Sequence, residues 1–209
     1  SDAAAAARNF ATKLFNATKF ALMNGAGVAP LPKRTELSDA DRWILDRAEE
    51  VRTQVDAYLD DYQFAKANEL LYHFTWDELC DWYLEIAKTQ IPRDGVSEQG
   101  RNTQIVLGRV LDVVLRLLHP IMPFITEELW QVVAPLANAK TADSIMLAAY
   151  PQADKEKIVQ TAFDKMAALK DLVEEVRKLR GEMGIAPNVK APLFVEGNAE
   201  LEGLLKYLP

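Results

Sequence analysis

The chain is poor in several residue types, and each shortage excludes something. A single cysteine in 209 residues, Cys80, excludes an internal disulfide and a cysteine-rich zinc site, so burial alone must stabilise a protein read as cytosolic by default. No apolar run approaches the ~18 residues of a membrane span, and the opening Ser1-Asp2 with five alanines has neither the charged start nor the bulky apolar core of a signal peptide. No glycine-rich loop follows a strand, which leaves no phosphate cradle of the familiar kind. Basic residues are in deficit: the net charge is −7, so bulk charge does not make this a nucleic-acid-coating protein, and any such site must be local. Period-two alternation is almost missing until the last 25 or so residues.

What is present is helical periodicity, with 49% hydrophobic and 26% charged residues giving an ordinary globular balance. The pattern predicts a mainly α antiparallel bundle over residues 1–150. A long helix and the beginning of a small α/β appendage follow over 151–209. The first helix runs from about Ala4 to Asn24 with Phe10, Leu14, Ala17 and Ala21 on one face, and Gly25 and Gly27 supply its stop. Ser38-Asp39-Ala40-Asp41 has capping-box spacing and starts a second helix over 39–60. A third, over 63–87, carries a core stripe of Phe64, Ala67, Leu71, Phe74, Leu79, Trp82 and Ile86. The fourth, rich in Ile105, Val106, Val110, Val113, Val114 and Leu117, is the expected centre of the bundle and ends at His119-Pro120. Thr126 is the expected cap of a fifth helix, Trp130 the plug of the bundle end, and Asp154 the cap of the sixth. Leu193-Phe194-Val195 reads as a strand without a visible partner.

Catalytic patterns are not found. His73 and Cys80 are seven residues apart, about 10 Å along a helix, too far for a thiolate–imidazole pair. No Glu-x-x-His pair occurs for a di-iron bundle, so a metal or hydrolytic enzyme is the weakest reading. Asp77, Asp81 and Glu85 form an i, i+4 ladder off the core stripe, suited to a solvated face or to pairing with Lys and Arg. Charge position says more than charge total. Residues 1–34 carry Arg8, Lys13, Lys19, Lys33 and Arg34 against Asp2, a net of +4, and the remainder carries −11. Projection of the first helix places Asn9, Lys13, Asn16 and Phe20 within about 60° of one another. Lysine for phosphate, asparagine for base edges and phenylalanine for stacking make a strip suited to single-stranded RNA. The plainer alternative, which composition alone favours, is a solvated face with Phe20 tucked under the next loop, or a strip that docks an acidic helix in a protein-interaction bundle.

Several blocks bear on that choice: R-N-F-A-T-K-L-F-N-A from Arg8, D-R-W-I-L from Asp41, F-T-W-D-E-L-C-D-W-Y-L-E from Phe74, L-H-P-I-M-P-F-I-T-E-E-L-W from Leu118 and S-I-M-L from Ser144. In this order the chain, from about Arg8 to Val195, resembles the anticodon-binding helical domain of the class I valyl-tRNA synthetases. The H-P-x-x-P-F-x-x-E-x-L-W pattern is shared with the isoleucyl and leucyl relatives, whereas the first and C-D-W-Y-L blocks favour valine. The resemblance implies tRNA as partner, contacted through its anticodon loop, and a cytoplasmic, monomeric parent ligase that uses ATP and magnesium. It implies no cofactor and no metal in this segment. The family's H-I-G-H and K-M-S-K-S signatures are absent, so the segment is expected to be inactive in ligation by itself. The family's anticodon-contacting aromatic falls on Phe20, its neighbouring basic positions on Lys13 and Lys19, and a lining leucine on Leu84. Independently of the family, Leu84 projects away from the Phe64-Leu71-Trp82 stripe, an apolar residue out of phase with the core that needs a reason such as a base contact.

Overall fold

The computed structural model describes residues 2–27, 29–91, 97–152, 154, 158–197 and 199–208. It is a mainly α bundle, and no strand occurs among the described residues. Helix α1 spans Asp2–Met23 and buries Phe10, Leu14, Ala17, Thr18 and Ala21, the i, i+4, i+7 spacing of one face. Its end is set locally. Gly25 takes a φ of +71°, and the amides of Gly25 and Ala26 return to the carbonyls of Leu22 and Ala21, at 3.3 and 2.9 Å, which is a Schellman turn. Asn24 reinforces it by donating from Nδ2 to the Phe20 carbonyl at 2.8 Å.

Helix α2, Asp39–Asp60, begins as its Ser38 predicts: the hydroxyl accepts from the Asp41 amide at 3.1 Å. The expected third helix is three pieces in series, α3 (Phe64–His73), a ten-residue π segment (Phe74–Tyr83) and α4 (Leu84–Gln90). Helix α5, Glu98–Leu118, is capped by Ser97 and is buried along most of its length, the centre that its composition foretold. Helix α6 spans Pro123–Leu136 and α7 spans Gln160–Glu182; a short α8, Ala199–Leu204, packs back on α7. Helix α2 contacts α3, α5 and α7, while α1 lies against the π segment, α5 and α6.

Several local expectations are corrected. Thr126 does not cap: Pro123 opens α6, and the Thr126 hydroxyl sits inside the helix, 2.7 Å from the Met122 carbonyl and 2.8 Å from His119 Nδ1. Asp154 is not the cap of α7, which starts after Val159; instead its amide donates to Glu49 Oε2 at 2.9 Å. Leu193-Phe194-Val195 is unpaired coil with Phe194 91% exposed, because no described segment offers it a ladder. Trp130 does seal the core, fully buried with Nε1 donating to Asp112 Oδ1 at 2.9 Å.

A buried polar node ties four elements together, α2, the π segment, α4 and α5. Tyr83 Oη donates to Asp41 Oδ1 at 2.7 Å, and the Thr103 hydroxyl lies 3.0 Å from Asp41 Oδ2 and 2.7 Å from Gln90 Oε1. One hydroxyl proton cannot serve both acceptors; with the Gln90 amide turned over, its otherwise unpartnered Nε2 donates to Thr103 and frees the Thr103 proton for Asp41. Burial pushes the Asp41 carboxyl above its ordinary 3.8, against the lowering effect of its Tyr83, Ser38 and Thr103 hydrogen bonds. Asp39 behaves oppositely: burial raises it, but hydrogen bonds from Lys165 and Arg42 outweigh burial and hold it low. The stability linked to Asp41 is therefore present below pH 3.8 and lost as pH rises through the folded value. That linked to Asp39 is present above 3.8 and lost on acidification. Urea unfolding of Asp41→Asn is expected to flatten the loss of stability as pH rises above 3.8, whereas Asp39→Asn flattens the acid limb; parallel pH profiles for both variants and the parent would contradict this assignment.

Candidate nucleic-acid interface

Helix α1 presents its less buried side to the π segment and α4, and a cleft of about 470 Å³ lies between them. One wall comes from α1, with Asn9, Thr12, Lys13, Asn16, Ala17 and Phe20; the other carries Cys80, Asp81, Leu84, Glu85 and Lys88. A second cavity of about 420 Å³ adjoins it, lined by Lys19 and Met23 and sharing Asn16, Phe20 and Lys88. Five of the six residues singled out from the sequence thus line one cleft, and the sixth, Lys19, lines its neighbour.

Phe20 is half-buried, packed on the core at its base and common to both cavities, with Lys88 Nζ 5.9 Å from its ring. Asn9, Asn16 and Lys19 are exposed. Lys13 is held from two sides: Nζ pairs with Asp81 at 2.5 Å and sits 4.1 Å above the Trp76 ring, which in turn stacks with Tyr72 and Phe10. Such a half-exposed pair is worth no more than about 1 kcal/mol, so Lys13 can exchange its partner cheaply. Lys88 pairs with Glu85 at 2.6 Å.

The cleft differs from the sequence picture in two ways. Leu84 does not project from the core; it is 6% exposed, packed in the hydrophobic cluster, and reaches the cleft as part of its wall. The reason is the π segment, whose i→i+5 bonding, seen in the Leu84 amide donating to the Leu79 carbonyl, delays the helical phase by about one residue per turn. The same delay leaves Trp82 only half-buried, and Phe64, at the first turn of α3 ahead of the π segment, is 56% exposed; both belonged to the predicted stripe. Asp81, Glu85 and Lys88 are the charged lining residues that the α1 projection alone misses; the pairing suggested by the acidic ladder locates the carboxylates, because Asp81 and Glu85 meet lysines and Asp77 lies 2.9 Å from His73 Nδ1.

Residues 41–195 match the family model described as the anticodon-binding domain of tRNA ligase. The chain belongs to this family. The matched span includes the Cys80–Lys88 wall, and α1 precedes it. Curated relatives extend over both walls. The chain is similar to a valine–tRNA ligase of Corynebacterium efficiens, 55% identical over 99% of this chain and 23% of the relative. It is likewise similar to those of Corynebacterium glutamicum, 57% over 91% and 21%, and of Neisseria meningitidis, 54% over 97% and 22%. The chain therefore spans under a quarter of the length of these relatives.

The domain keeps its one thiol out of chemistry. Burial pushes Cys80 up to about 12, with the Lys13 charge opposing and the Asp81 charge adding. Cys80 should resist a thiol reagent in the native domain at about pH 8 and react stoichiometrically once urea is added; rapid native labelling would show that this wall is loosely packed.

Proposed function

We propose that this domain reads the anticodon loop of a valine-accepting tRNA as part of a longer valine–tRNA ligase. The observation that carries the proposal is the convergence of Lys13, Asn16, Phe20 and Leu84 on one open cleft beside Lys19. Unpaired bases are recognised by stacking on aromatic faces and by hydrogen bonds to their edges, with lysines supplying the phosphate term. Phe20 offers the stacking face, Leu84 an apolar wall, Asn9 and Asn16 amides for base edges, and Lys13, Lys19 and Lys88 the charge. Asp81 and Glu85 add selectivity: carboxylates accept from the exocyclic amino groups of adenine or cytosine and repel carbonyl edges. The family supports tRNA as the partner, and the relatives' names support valine.

In that longer, monomeric, cytoplasmic ligase, ATP supplies the activation chemistry with magnesium. On this proposal both lie outside this domain, where no group of three or more His, Cys, Asp or Glu side chains is arranged for a metal ion among the described residues. The residues of this domain bind and orient RNA and take no part in bond formation. No described helix is long and apolar enough to cross a membrane.

A fluorescence titration with a valine-tRNA anticodon stem-loop tests the proposal. Binding should weaken with salt and be lost when the anticodon bases are replaced; indifference to those bases would reject it. Phe20→Ala should cost ~1–3 kcal/mol. Lys13→Ala should weaken binding uniformly across sequences and lower the salt slope by about one.

A further inference from the structure

A larger cavity, about 760 Å³, lies between α2 and α5, closed by the 31–37 and 138–149 loops; it shares no lining residue with the α1 cleft. Its apolar wall includes Leu31, Leu45, Val110 and Val113. Four guanidinium groups face it. Three are neutralised by buried carboxylates: Arg34 grips Asp46 with two bonds of 2.6 Å, Arg116 meets Asp112 at 2.6 Å, and Arg52 meets Glu49 at 2.8 Å. The carboxylates are committed elsewhere as well, Asp112 to Trp130 and Glu49 to the Asp154 amide.

Arg109 is different. It forms no ion pair among the described residues, its one bond is a 3.3 Å contact from Nη2 to the Ala29 carbonyl, and its Nε is buried without a partner. Arg52 Nε is likewise buried and unpartnered. Arg109 is half-buried, and a guanidinium nitrogen sealed from solvent without a partner costs its desolvation unless an acceptor meets it. The cavity volume lies within the range of small-ligand sites, which combine apolar walls with a few convergent polar groups.

We infer that this cavity binds an oxyanion carried on an apolar body, a carboxylate whose oxygens pair with Arg109 while its aliphatic part lies along Val110 and Val113. The side-on Nε–Nη edge of arginine matches the two oxygens of such a head group. The head group can belong to a free small acid or to a glutamate side chain of another polypeptide segment.

Amide and arginine side-chain NMR titrations of the 209-residue chain test this, with sodium hexanoate as the free acid and N-acetyl-Leu-Glu-Leu-amide as the side-chain source. Saturable shifts at Val110, Val113 and Arg109 are expected from at least one, and the tighter probe identifies the source. Hexanol should bind at least about tenfold more weakly than hexanoate, as should Arg109→Met with either probe, while Arg109→Lys retains part of the affinity. The anticodon stem-loop affinity of Arg109→Met should equal the parent's. No saturable shift from either probe, equal binding of hexanol, or competition by inorganic phosphate as effective as by hexanoate would overturn the inference. Should Arg109→Met fail to fold, unchanged hexanoate affinity in Arg109→Lys overturns it equally.

Discussion

The ten-residue π segment from Phe74 to Tyr83 is the constraint on which the cleft depends. On a continuous α-helix Leu84 lies about 220° around the axis from Leu71, on the far side from the core. A π turn carries about one residue more than an α turn, so two such turns delay the phase by roughly 200° and bring Leu84 back to the buried side. Leu71 and Leu84 are then 1% and 6% exposed on one continuous helical rod. Everything on the second wall follows from that rotation: Cys80 and Leu84 turn toward the core, and Asp81, Glu85 and Lys88 rim the space beside α1. An unbroken α-helix would direct those charged residues elsewhere and leave Lys13 without its carboxylate.

A wide helical turn is held only where tertiary contacts fix both ends, since its geometry is rare in isolation. At the C-terminal end Tyr83 is wholly buried and bonded to Asp41, which couples the last π residue to α2 and, through Thr103, to α5. At the other end Tyr72 and Trp76 stack with Phe10 of α1 at 5.1 and 6.5 Å. The aromatic contacts supply burial and the polar node supplies direction, because a hydrogen bond is satisfied in one register only. On the outer side Lys170 of α7 lies 4.8 Å from the Trp43 ring and 5.4 Å from that of Trp82. Burial lowers the Lys170 ammonium, with Glu78 opposing that effect and Arg47 adding to it. Helix α7 is thereby fastened to the same π segment from the opposite face.

This arrangement explains which features were legible in the sequence. Helix ends governed by nearest neighbours were readable: Gly25 supplies the left-handed residue of its turn, and Ser38 caps α2 as its spacing predicted. The α1 strip and the central position of α5 were readable too, since each depends on a 3.6-residue period that no later element interrupts. Features decided by distant partners were not. Nothing local in F-T-W-D-E-L-C-D-W-Y distinguishes i→i+5 from i→i+4 bonding; the choice rests on Phe10, Asp41 and Thr103, which are remote in sequence. Asp154 and Thr126 have the right chemistry for caps, yet Glu49 engages the amide of one, and His119 and Met122 the hydroxyl of the other. Leu84 follows from the resemblance, but the added argument from phase does not hold: the residue lines the cleft because the π segment turns it back toward the core.

The charge pattern of the cleft bears on selectivity more than on strength. Lys13 and Lys88 each meet a carboxylate, so the region offers RNA little uncompensated charge beyond the exposed Lys19. A purely basic strip would hold any single strand through phosphate contacts, which are indifferent to sequence. Interleaved carboxylates lower that general affinity. They also set a condition on the incoming base, because an acceptor that is already partnered by lysine gains from a base amino group and loses against a base carbonyl. The net −7 charge of the chain works in the same direction at longer range, disfavouring loose association except where geometry is satisfied. If the cleft takes a single strand as proposed, the weak ion pairs Lys13–Asp81 and Lys88–Glu85, half-exposed and exchangeable, keep the lysines in place until suitable bases replace their partners.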